Sequence, residues 1–248
     1  RLPNLVTLED IRGDLHMHST WSDGKASVEE MARACLARGY AYFALADHSQ
    51  AMAMVGGLTP ERARAQWEEI AEVQERVPGI RILRSCEVDI LRDGSLDLPD
   101  EILAELDVVV VSVHTLMEMD KAAMTERVLR AVRHPLADIL AHPTGRILNR
   151  REPHAMDVDE VLAACAEARV AVEVNANPWR LDLNEFHVRR ALELGCKVVV
   201  STDAHSPRGL EHMRFGVDQA RRGWVEAKDV VNALALGAFE GWLGRREG

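Results

Sequence analysis

Seven short apolar runs alternate with amphipathic helical segments along the 248 residues of this chain. The runs cover residues 12–16, 41–46, 80–88, 107–113, 138–141, 170–175 and 197–202. Strands separated by helices pair in parallel through right-handed crossovers. A continuously aliphatic run such as 108–113 indicates a strand that is buried on both faces. The alternation therefore predicts an α/β fold built on one parallel sheet.

Signals for helix starts and stops stand between the runs. Ser27 and Glu30 form a capping-box pattern, and Thr59 followed by Pro60 is a favoured helix start. The capping pattern recurs twice, and glycines follow two of the predicted helices: Asp157 with Glu160, Asp182 with Glu185, Gly39 and Gly195. We expect one more helix over 226–245. Residues 1–10 are predicted to be a leader or linker before a single domain over 11–248.

Composition excludes several classes of protein. Apolar residues make up 47% of the chain but aromatic residues only 4%, which predicts a core of small aliphatic side chains. No apolar stretch approaches the roughly 18 residues of a membrane span, so no membrane partner is expected. Cys35, Cys86, Cys165 and Cys196 lie far apart, which favours buried thiols and a cytoplasmic location. The net charge of −10 argues against binding nucleic acid by general attraction.

Each predicted strand ends at or just before a polar residue that could serve a site. These residues are His16, His48, Glu87, His114, His142, Asn175 and Asp203. A closed barrel brings the carboxyl ends of all its strands to one rim, where active sites lie. An open doubly wound sheet, the alternative, would spread the outermost of these residues over several strand spacings. The pattern therefore favours a (β/α)7-type barrel.

Nine histidine and carboxylate side chains at or near the ends of the predicted strands are of types that bind metal ions. His16 and His18 are two residues apart and face the same side of a strand, and Asp203 with His205 repeats this spacing. The full set is His16, His18, Asp23, His48, Glu87, His114, His142, Asp203 and His205. The set predicts a polynuclear metal site. The other histidines are assigned to ordinary surface or hydrogen-bonded positions: His134, His154, His187 and His212.

Further acidic residues are interpreted by their neighbours. Asp14 and Asp47 lie beside predicted histidine ligands, so we expect them to orient those ligands through hydrogen bonds. Asp89, Asp93 and Asp97 follow Glu87 in a predicted loop and are expected to be solvated. Three divalent ions would exceed the charge of three carboxylates, which favours an anionic substrate such as a phosphate ester.

The ordered motifs LHMHS, SDG, ADHS, CEVDI, SVH, AHPT and STDAHS resemble those of the PHP (polymerase and histidinol phosphatase) superfamily. The resemblance covers about residues 12–245 and implies a distorted seven-stranded TIM-like barrel with three metal ions. It implies one ion on His16, His18, Glu87 and Asp203. Glu87 would bridge to a second ion on His114 and His142, and Asp23, His48 and His205 would hold the third. Some relatives have His in place of Asp23, or Cys in place of His142.

Within the superfamily, the chain most resembles the C-terminal PHP domain of bacterial family X DNA polymerases. The segments that carry this likeness are IRGDLHMHSTWSDG, AHPTGRILNRREP, VEVNANPWRLDLNEFHVRRALELG and QARRGW. The resemblance implies a manganese-dependent 3′–5′ exonuclease that acts on single-stranded or gapped DNA 3′ ends. Some relatives also cleave abasic sites or remove 3′-phosphates. Polymerase domains on the N-terminal side would belong to the same full-length chain, consistent with the missing initiator Met.

Specific roles follow from these expectations. The predicted catalytic residues are His16, His18, Glu87, Asp203 and His205. Arg150 and Arg180 are predicted to bind substrate phosphates, and Trp21 and Trp179 could stack on an unpaired base or pack at the rim. We expect Mn²⁺ to support activity, with Zn²⁺ or iron as other ions that the site could bind. The alternatives are a small-molecule phosphomonoesterase, such as a histidinol-phosphate phosphatase, and a non-catalytic module that its metals organise.

Overall fold

A computed structural model describes residues 3–244 and contains a seven-stranded parallel sheet in the order β1 to β7. The strands are β1 Gly13–Met17, β2 Tyr42–Leu45, β3 Arg81–Asp89, β4 Val108–Ser112, β5 Ile139–Leu140, β6 Ala171–Asn175 and β7 Val198–Ser201. Every strand boundary lies within one residue of its predicted run. The apolar runs therefore predicted both the number and the position of the strands.

Within residues 3–244, eight α-helices lie between and after the strands. They are α1 Val28–Ala37, α2 Pro60–Arg76, α3 Asp100–Leu103, α4 Lys121–Val132, α5 Val158–Ala168, α6 Glu185–Glu193, α7 Met213–Arg222 and α8 Leu236–Leu243. Short 3₁₀ turns occupy Leu8–Asp10, Gln50–Val55, Pro207–His212, Ala227–Asp229 and Val231–Ala233. No helix among residues 3–244 has the length and apolar character needed to cross a membrane.

The sheet curls into a nearly closed barrel whose seam lies between β1 and β7. At the carboxyl end of the seam, the amide of His18 donates to the carbonyl of Ala204 at 2.8 Å. Farther from the carboxyl ends of the strands, the buried side chain of Asn232 lies between β1 and β7. It makes hydrogen bonds to both strands in place of direct backbone pairing. Its Nδ2 donates to the carbonyls of Gly13 and Val200, both at 2.8 Å, and its Oδ1 accepts from the amide of Val200 at 3.0 Å. The barrel prediction is confirmed, and the open sheet is excluded.

Asn232→Ala is expected to lower the free energy of unfolding by about 3 kcal/mol, because it leaves three buried backbone groups without their partner. Chemical denaturation followed by circular dichroism measures the change. Asn4→Ala is the control, since Asn4 is exposed and its replacement should change stability by less than about 0.5 kcal/mol. A loss below about 1 kcal/mol for Asn232→Ala would show that the side chain does not close the seam.

The core has two layers, one inside the barrel and one between the sheet and the helices. Leu15, Val110 and Val199 belong to the inner layer. Phe239 of α8 closes the amino-terminal end of the barrel, where its ring stacks on Tyr42 with a centroid distance of 5.0 Å. Small aliphatic residues dominate both layers, as the composition predicts. All four cysteines are free and buried, which confirms their assignment as buried thiols.

The helix signals are mostly confirmed. The capping box forms, with the amide of Glu30 donating to Ser27 Oγ at 3.2 Å and the amide of Ser27 donating to Glu30 Oε2 at 2.8 Å. Thr59 and Asp157 cap α2 and α5. Gly39 and Gly195 follow α1 and α6 with φ values of 79° and 88°, in the left-handed region that glycine tolerates best.

Two predictions near the C-terminal half are wrong. Asp182 does not cap a helix; Asn184 caps α6, and the buried carboxylate of Asp182 accepts hydrogen bonds from Thr144 instead. The segment 226–245 is not one helix, because two 3₁₀ turns precede α8, and residue 245 lies outside the described residues. The position of Asn232 in the second of these turns lets its side chain reach the seam.

Residues 3–10 pack against the barrel. Val6 is buried, and its amide donates to the carbonyl of Val225 at 2.9 Å. Leu5 pairs with Glu226 in an antiparallel bridge. Residues 1 and 2 of the predicted leader lie outside the described part of the chain.

Candidate metal centre

The carboxyl ends of the strands bring all nine predicted ligands to one rim of the barrel. Their ring nitrogens and carboxylate oxygens form four overlapping groups, and within each group these atoms lie within 4.8 Å of one another. The groups are His18, Asp23, His48 and His205; His16, Glu87 and His142; His16, His18 and Asp203; and His48, Glu87 and His114. Residues far apart in the sequence therefore form one continuous cluster.

Glu87 lies at the centre of this cluster. Its Oε1 is 2.8 Å from His142 Nε2 and 3.2 Å from His114 Nε2. Its Oε2 is 3.2 Å from His16 Nε2 and 3.1 Å from His48 Nδ1. Each oxygen of one buried carboxylate thus meets a different pair of imidazoles, which is the arrangement that a bridging ligand requires.

Two further carboxylates lie at the seam side of the cluster. Asp203 Oδ1 is 3.3 Å from His18 Nε2, and Asp23 Oδ2 is 3.2 Å from His205 Nε2 and 3.6 Å from His48 Nε2. Ligand atoms bound to one ion at about 2.1 Å are themselves about 3 to 3.5 Å apart. The observed spacings are close to that range.

Several buried ring nitrogens in the cluster make no well-aligned hydrogen bond, although three of them lie within 3.3 Å of a carboxylate oxygen. They are Nε2 of His16, both ring nitrogens of His18, Nδ1 of His48 and Nδ1 of His142. A buried polar atom without a partner is costly, and a metal ion would satisfy the lone pairs of those nitrogens that carry no proton. The donor set, its spacing and these ring nitrogens fit divalent metal ions.

The backbone is unusual where it presents two of the ligands. His142 and Asp203 have φ values of 26° and 53°, in a region that non-glycine residues rarely adopt. The pairing of β1 with β2 shifts in register between Asp14 and Met17, beside His16. Irregularities of this kind re-aim side chains and gather at functional sites.

Glu173 on β6 orients two ligands, a role that sequence reasoning missed. Its Oε1 lies 2.8 Å from His16 Nδ1, and its Oε2 accepts from the amide of His142 at 2.6 Å and from Asn175 Nδ2 at 3.1 Å. A hydrogen bond at Nδ1 leaves Nε2 of His16 facing Glu87 and Asp203. The available signal was an acidic residue inside a wholly buried aliphatic strand.

Asp89 orients His114 in the same way. Its carboxylate accepts from the amide of His114 at 2.9 Å and lies 3.2 Å from His114 Nδ1. The expectation that Asp89 is solvated is wrong, because β3 continues through it and buries it completely. Asp93 is exposed as expected, and Asp97 is half-buried and accepts from the amide of Ala51 at 2.6 Å.

Neither Asp14 nor Asp47 contacts a histidine ring. Asp14 Oδ1 accepts from the backbone amide of His16 at 3.3 Å, so the prediction is confirmed for that bond and is wrong for Asp47. Asp14 accepts from the amide and hydroxyl of Thr202 and thereby links β1 to β7. Asp47 accepts from Ser19, Ser22 and Gln66 and ties together the loops after β1 and β2. Both carboxylates support the rim through the backbone and neutral side chains.

The pKa values of the clustered side chains are shifted by burial and by one another. Burial alone would raise the pKa of Glu87, but the imidazoles of His114, His16 and His48 hold it well below its usual range. Burial, together with the nearby His205 and His48, lowers the pKa of His18 to about 3. Burial alone would lower the pKa of His114, but Glu87 and Asp89 raise it to about 9, so a metal ion bound there would displace a proton.

The predicted substrate arginines lie at different depths. Arg180 is mostly buried, with Nε 3.4 Å from Asp203 Oδ2 and Nη1 without a hydrogen-bond partner. Arg150 is exposed and lies over the ring of Trp179 at 5.2 Å, and 58% of Trp179 is exposed. Arg180 therefore reaches the cluster, whereas Arg150 and Trp179 form a stacked pair on the outer rim.

Other rim residues have structural contacts. Arg146 and Arg151 donate to the backbone carbonyls of Arg180 and Gly145. Trp21 Nε1 donates to Glu69 at 2.6 Å, which favours the packing role over stacking on a base. Within the described residues, the ligand groups include none of the four histidines that were left out of the predicted set.

Comparison with known proteins identifies the family. Residues 14–177 match the model of the PHP domain. The chain belongs to the PHP domain family. This places it among metal-dependent phosphoesterases, in agreement with the acidic and histidine-rich rim. The resemblance to PHP proteins that the motifs indicated is confirmed.

The PHP chain is 44% identical over 243 residues to "DNA polymerase/3′-5′ exonuclease PolX" of Bacillus subtilis (strain 168). That match covers 98% of the chain but only 43% of the relative, so the chain spans less than half of that protein. It is also 29% identical over 204 residues to a "probable phosphatase" of Thermoanaerobacter sp. (strain X514), covering 77% of the chain and 78% of the relative.

A solved structure confirms the PHP fold. The histidinol phosphate phosphatase of Lactococcus lactis superposes with a TM-score of 0.62 at 17% sequence identity. The match covers 87% of the chain and 95% of that protein, which was solved with zinc, L-histidinol and phosphate. A likeness at 17% identity shows that the two proteins share a fold and no more. The barrel of this chain is therefore of the same kind as that of a solved PHP structure.

Proposed function

We propose that this PHP domain hydrolyses DNA phosphodiesters from the 3′ end, as a 3′–5′ exonuclease with three divalent metal ions. The observation that carries the proposal is the complete ligand cluster around Glu87. The 44% identity to a relative named as a polymerase and 3′-5′ exonuclease favours DNA as the substrate. DNA 3′ ends, single-stranded or gapped, are the proposed partner, and N-terminal polymerase domains would supply most of the DNA contacts in a cytoplasmic repair enzyme.

The proposed ligands divide among three ions. His16, His18, Glu87 and Asp203 would hold the first, Glu87, His114 and His142 the second, and Asp23, His48 and His205 the third. The geometry supports sharing between neighbouring ions, since His18 and His48 each belong to two of the close groups. When bound, closely spaced divalent ions acidify a water molecule and neutralise the phosphate in a displacement at phosphorus. We propose Mn²⁺ as the activating ion, with Zn²⁺ or iron as possible alternatives.

The side chains of the chain itself position the substrate. The catalytic set His16, His18, Glu87, Asp203 and His205 forms the centre of the cluster. Arg180 can donate from its unpartnered Nη1 to a phosphate oxygen beside Asp203. Arg150 and Trp179 present a cation and an exposed ring on the rim, which suits a flanking phosphate and an unpaired base.

The test is the Mn²⁺-dependent shortening of a 5′-labelled single-stranded oligonucleotide by the purified domain. We expect a ladder of products that shorten from the 3′ end, loss of activity with EDTA, and no activity in His18→Ala. Shortening that persists undiminished in a folded His18→Ala variant would defeat the proposal. A retained metal content without hydrolysis of any ester would favour a metal-organised structural module instead.

Arg180→Ala is expected to raise the KM for the oligonucleotide about 10- to 100-fold, because a charge-assisted hydrogen bond contributes about 1.5–3 kcal/mol. Initial rates at several oligonucleotide concentrations measure the change. Arg64→Ala is the control, since Arg64 lies on α2 in an exposed ion pair with Glu105. An unchanged KM in Arg180→Ala would remove Arg180 from the substrate site.

A small-molecule phosphomonoesterase is the second candidate. The fold of a histidinol phosphate phosphatase covers 87% of this chain, and a phosphatase relative covers 77% of it. Parallel assays with histidinol phosphate and with the oligonucleotide separate the two functions. Turnover of histidinol phosphate with inertness toward DNA would select the phosphatase.

A further inference from the structure

A cavity of about 580 Å³ opens beside the metal centre, next to His114. Its lining includes Arg92, Leu116, Met117, Glu118 and Met119. The size lies within the roughly 300–1,000 Å³ of small-ligand sites. His114 Nε2 lies 3.2 Å from Glu87 Oε1, so the cavity begins at the cluster itself. The cavity therefore adjoins the place where the substrate phosphate is proposed to lie.

The chemistry of the lining favours an uncharged aromatic group over a phosphate. Leu116, Met117 and Met119 supply apolar surface, while the charges of Arg92 and Glu118 offset each other. Methionine sulfur makes favourable contacts with aromatic rings. The segment Met117–Met119 also lines a second cavity of about 430 Å³, whose other lining residues include Arg151, Glu152 and His154.

Leu116, in the lining of the cavity, has an unfavourable backbone conformation that its neighbours hold in place. Leu116 has a φ of 52° and is 52% exposed, an unfavourable backbone conformation that presents an apolar side chain to solvent. The preceding residue is fixed from two sides, since Thr115 Oγ1 donates to Asp89 and the Thr115 carbonyl accepts from the buried Arg127 at 2.9 Å. Strain that is held by buried neighbours is typical of binding sites.

We infer that this cavity binds the base of the 3′-terminal nucleotide, a subsite that rests on the proposed DNA hydrolysis. Burial of one face of a base against Leu116, Met117 and Met119 should increase binding by roughly tenfold, through apolar contact and sulfur–aromatic contact. Apolar contact with Leu116, Met117 and Met119 is open to every base, so we expect this part of the cavity to bind all four.

Two oligonucleotides test the inference, one ending in thymidine and one ending in an abasic tetrahydrofuran residue. The wild-type domain should hydrolyse the first with a kcat/KM about tenfold higher. Leu116→Asn, which suits a positive φ, and Met117→Ala should bring this ratio close to one. Met54→Ala is the control, since Met54 is 91% exposed and lies outside the cavity, and it should leave the ratio unchanged.

The outcomes separate the two hypotheses. Equal hydrolysis of both oligonucleotides by the wild type, or an unchanged ratio in a folded Leu116→Asn, overturns the base subsite and leaves the exonuclease proposal standing. Hydrolysis of neither oligonucleotide by the manganese-loaded wild type overturns the exonuclease proposal itself, and the base subsite with it.

Discussion

Glu87→Gln is expected to abolish hydrolysis and to reduce the number of bound metal ions. Each oxygen of Glu87 lies within 3.2 Å of two imidazole nitrogens, and the side chain is buried. An amide has one acceptor oxygen and no charge, so it cannot bridge two ions. The loss of activity should exceed the 10- to 100-fold loss that is typical when a residue that only hydrogen-bonds to a metal ligand is replaced.

Metal content after gel filtration in Mn²⁺, together with oligonucleotide shortening, measures the effect of Glu87→Gln. Circular dichroism verifies that the barrel is intact. Glu72→Gln is the matched control, because Glu72 is 71% exposed on α2 and its replacement should leave both readouts unchanged. A folded Glu87→Gln domain with its full metal content would remove Glu87 from the centre of the site.

Glu173→Gln is expected to weaken metal binding about 10- to 100-fold without removing a ligand. Glu173 meets His16 Nδ1 through one oxygen and the amide of His142 through the other. The single carbonyl oxygen of glutamine can accept only one of these hydrogen bonds. The ring of His16 or the backbone of His142 then loses its fixed orientation, and the ions that these residues hold should be lost first.

Isothermal titration calorimetry with Mn²⁺ measures this affinity. The activity of Glu173→Gln at saturating Mn²⁺ should be largely restored. Asp138→Asn is the control. Asp138 directly precedes β5 and is also a buried carboxylate, but it accepts from the amide of Val109 on β4. The control substitution should affect stability and not metal affinity. An unchanged Mn²⁺ affinity in Glu173→Gln would show that Glu173 does not position the ligands.

The strands and the nine clustered residues could be predicted because both depend on simple rules. Apolar runs mark buried strands, and parallel strands in a barrel end at one rim. Polar residues such as His114, directly after a strand, are therefore brought together by topology alone. No detailed knowledge of packing is needed for that step.

The orienting carboxylates could not be predicted in this way. Proximity in sequence pointed to Asp14 and Asp47, but the supporting groups that meet the rings come from other strands. Glu173 reaches His16 across 157 positions of sequence, and Asp89 reaches His114 across 25. Which acid meets which ring depends on strand register and on side-chain direction, and a single sequence contains neither explicitly.

The helix caps show the same limit. Asp182 fits a capping pattern, yet Thr144 from a neighbouring loop offers it two buried hydrogen bonds, and Asn184 takes the cap instead. Local propensity predicted that a helix starts in this region. Tertiary contacts decided which side chain begins it.

The central claim is that residues from distant parts of the chain hold a cluster of metal ions at one mouth of the barrel. Anomalous diffraction from a crystal of the domain soaked in Mn²⁺ tests it most directly. We predict separate manganese peaks at the carboxyl ends of the strands, within about 2.0–2.3 Å of the nine residues and with Glu87 between two of them. A mouth without anomalous peaks, or the nine side chains turned toward separate surfaces, would contradict the claim.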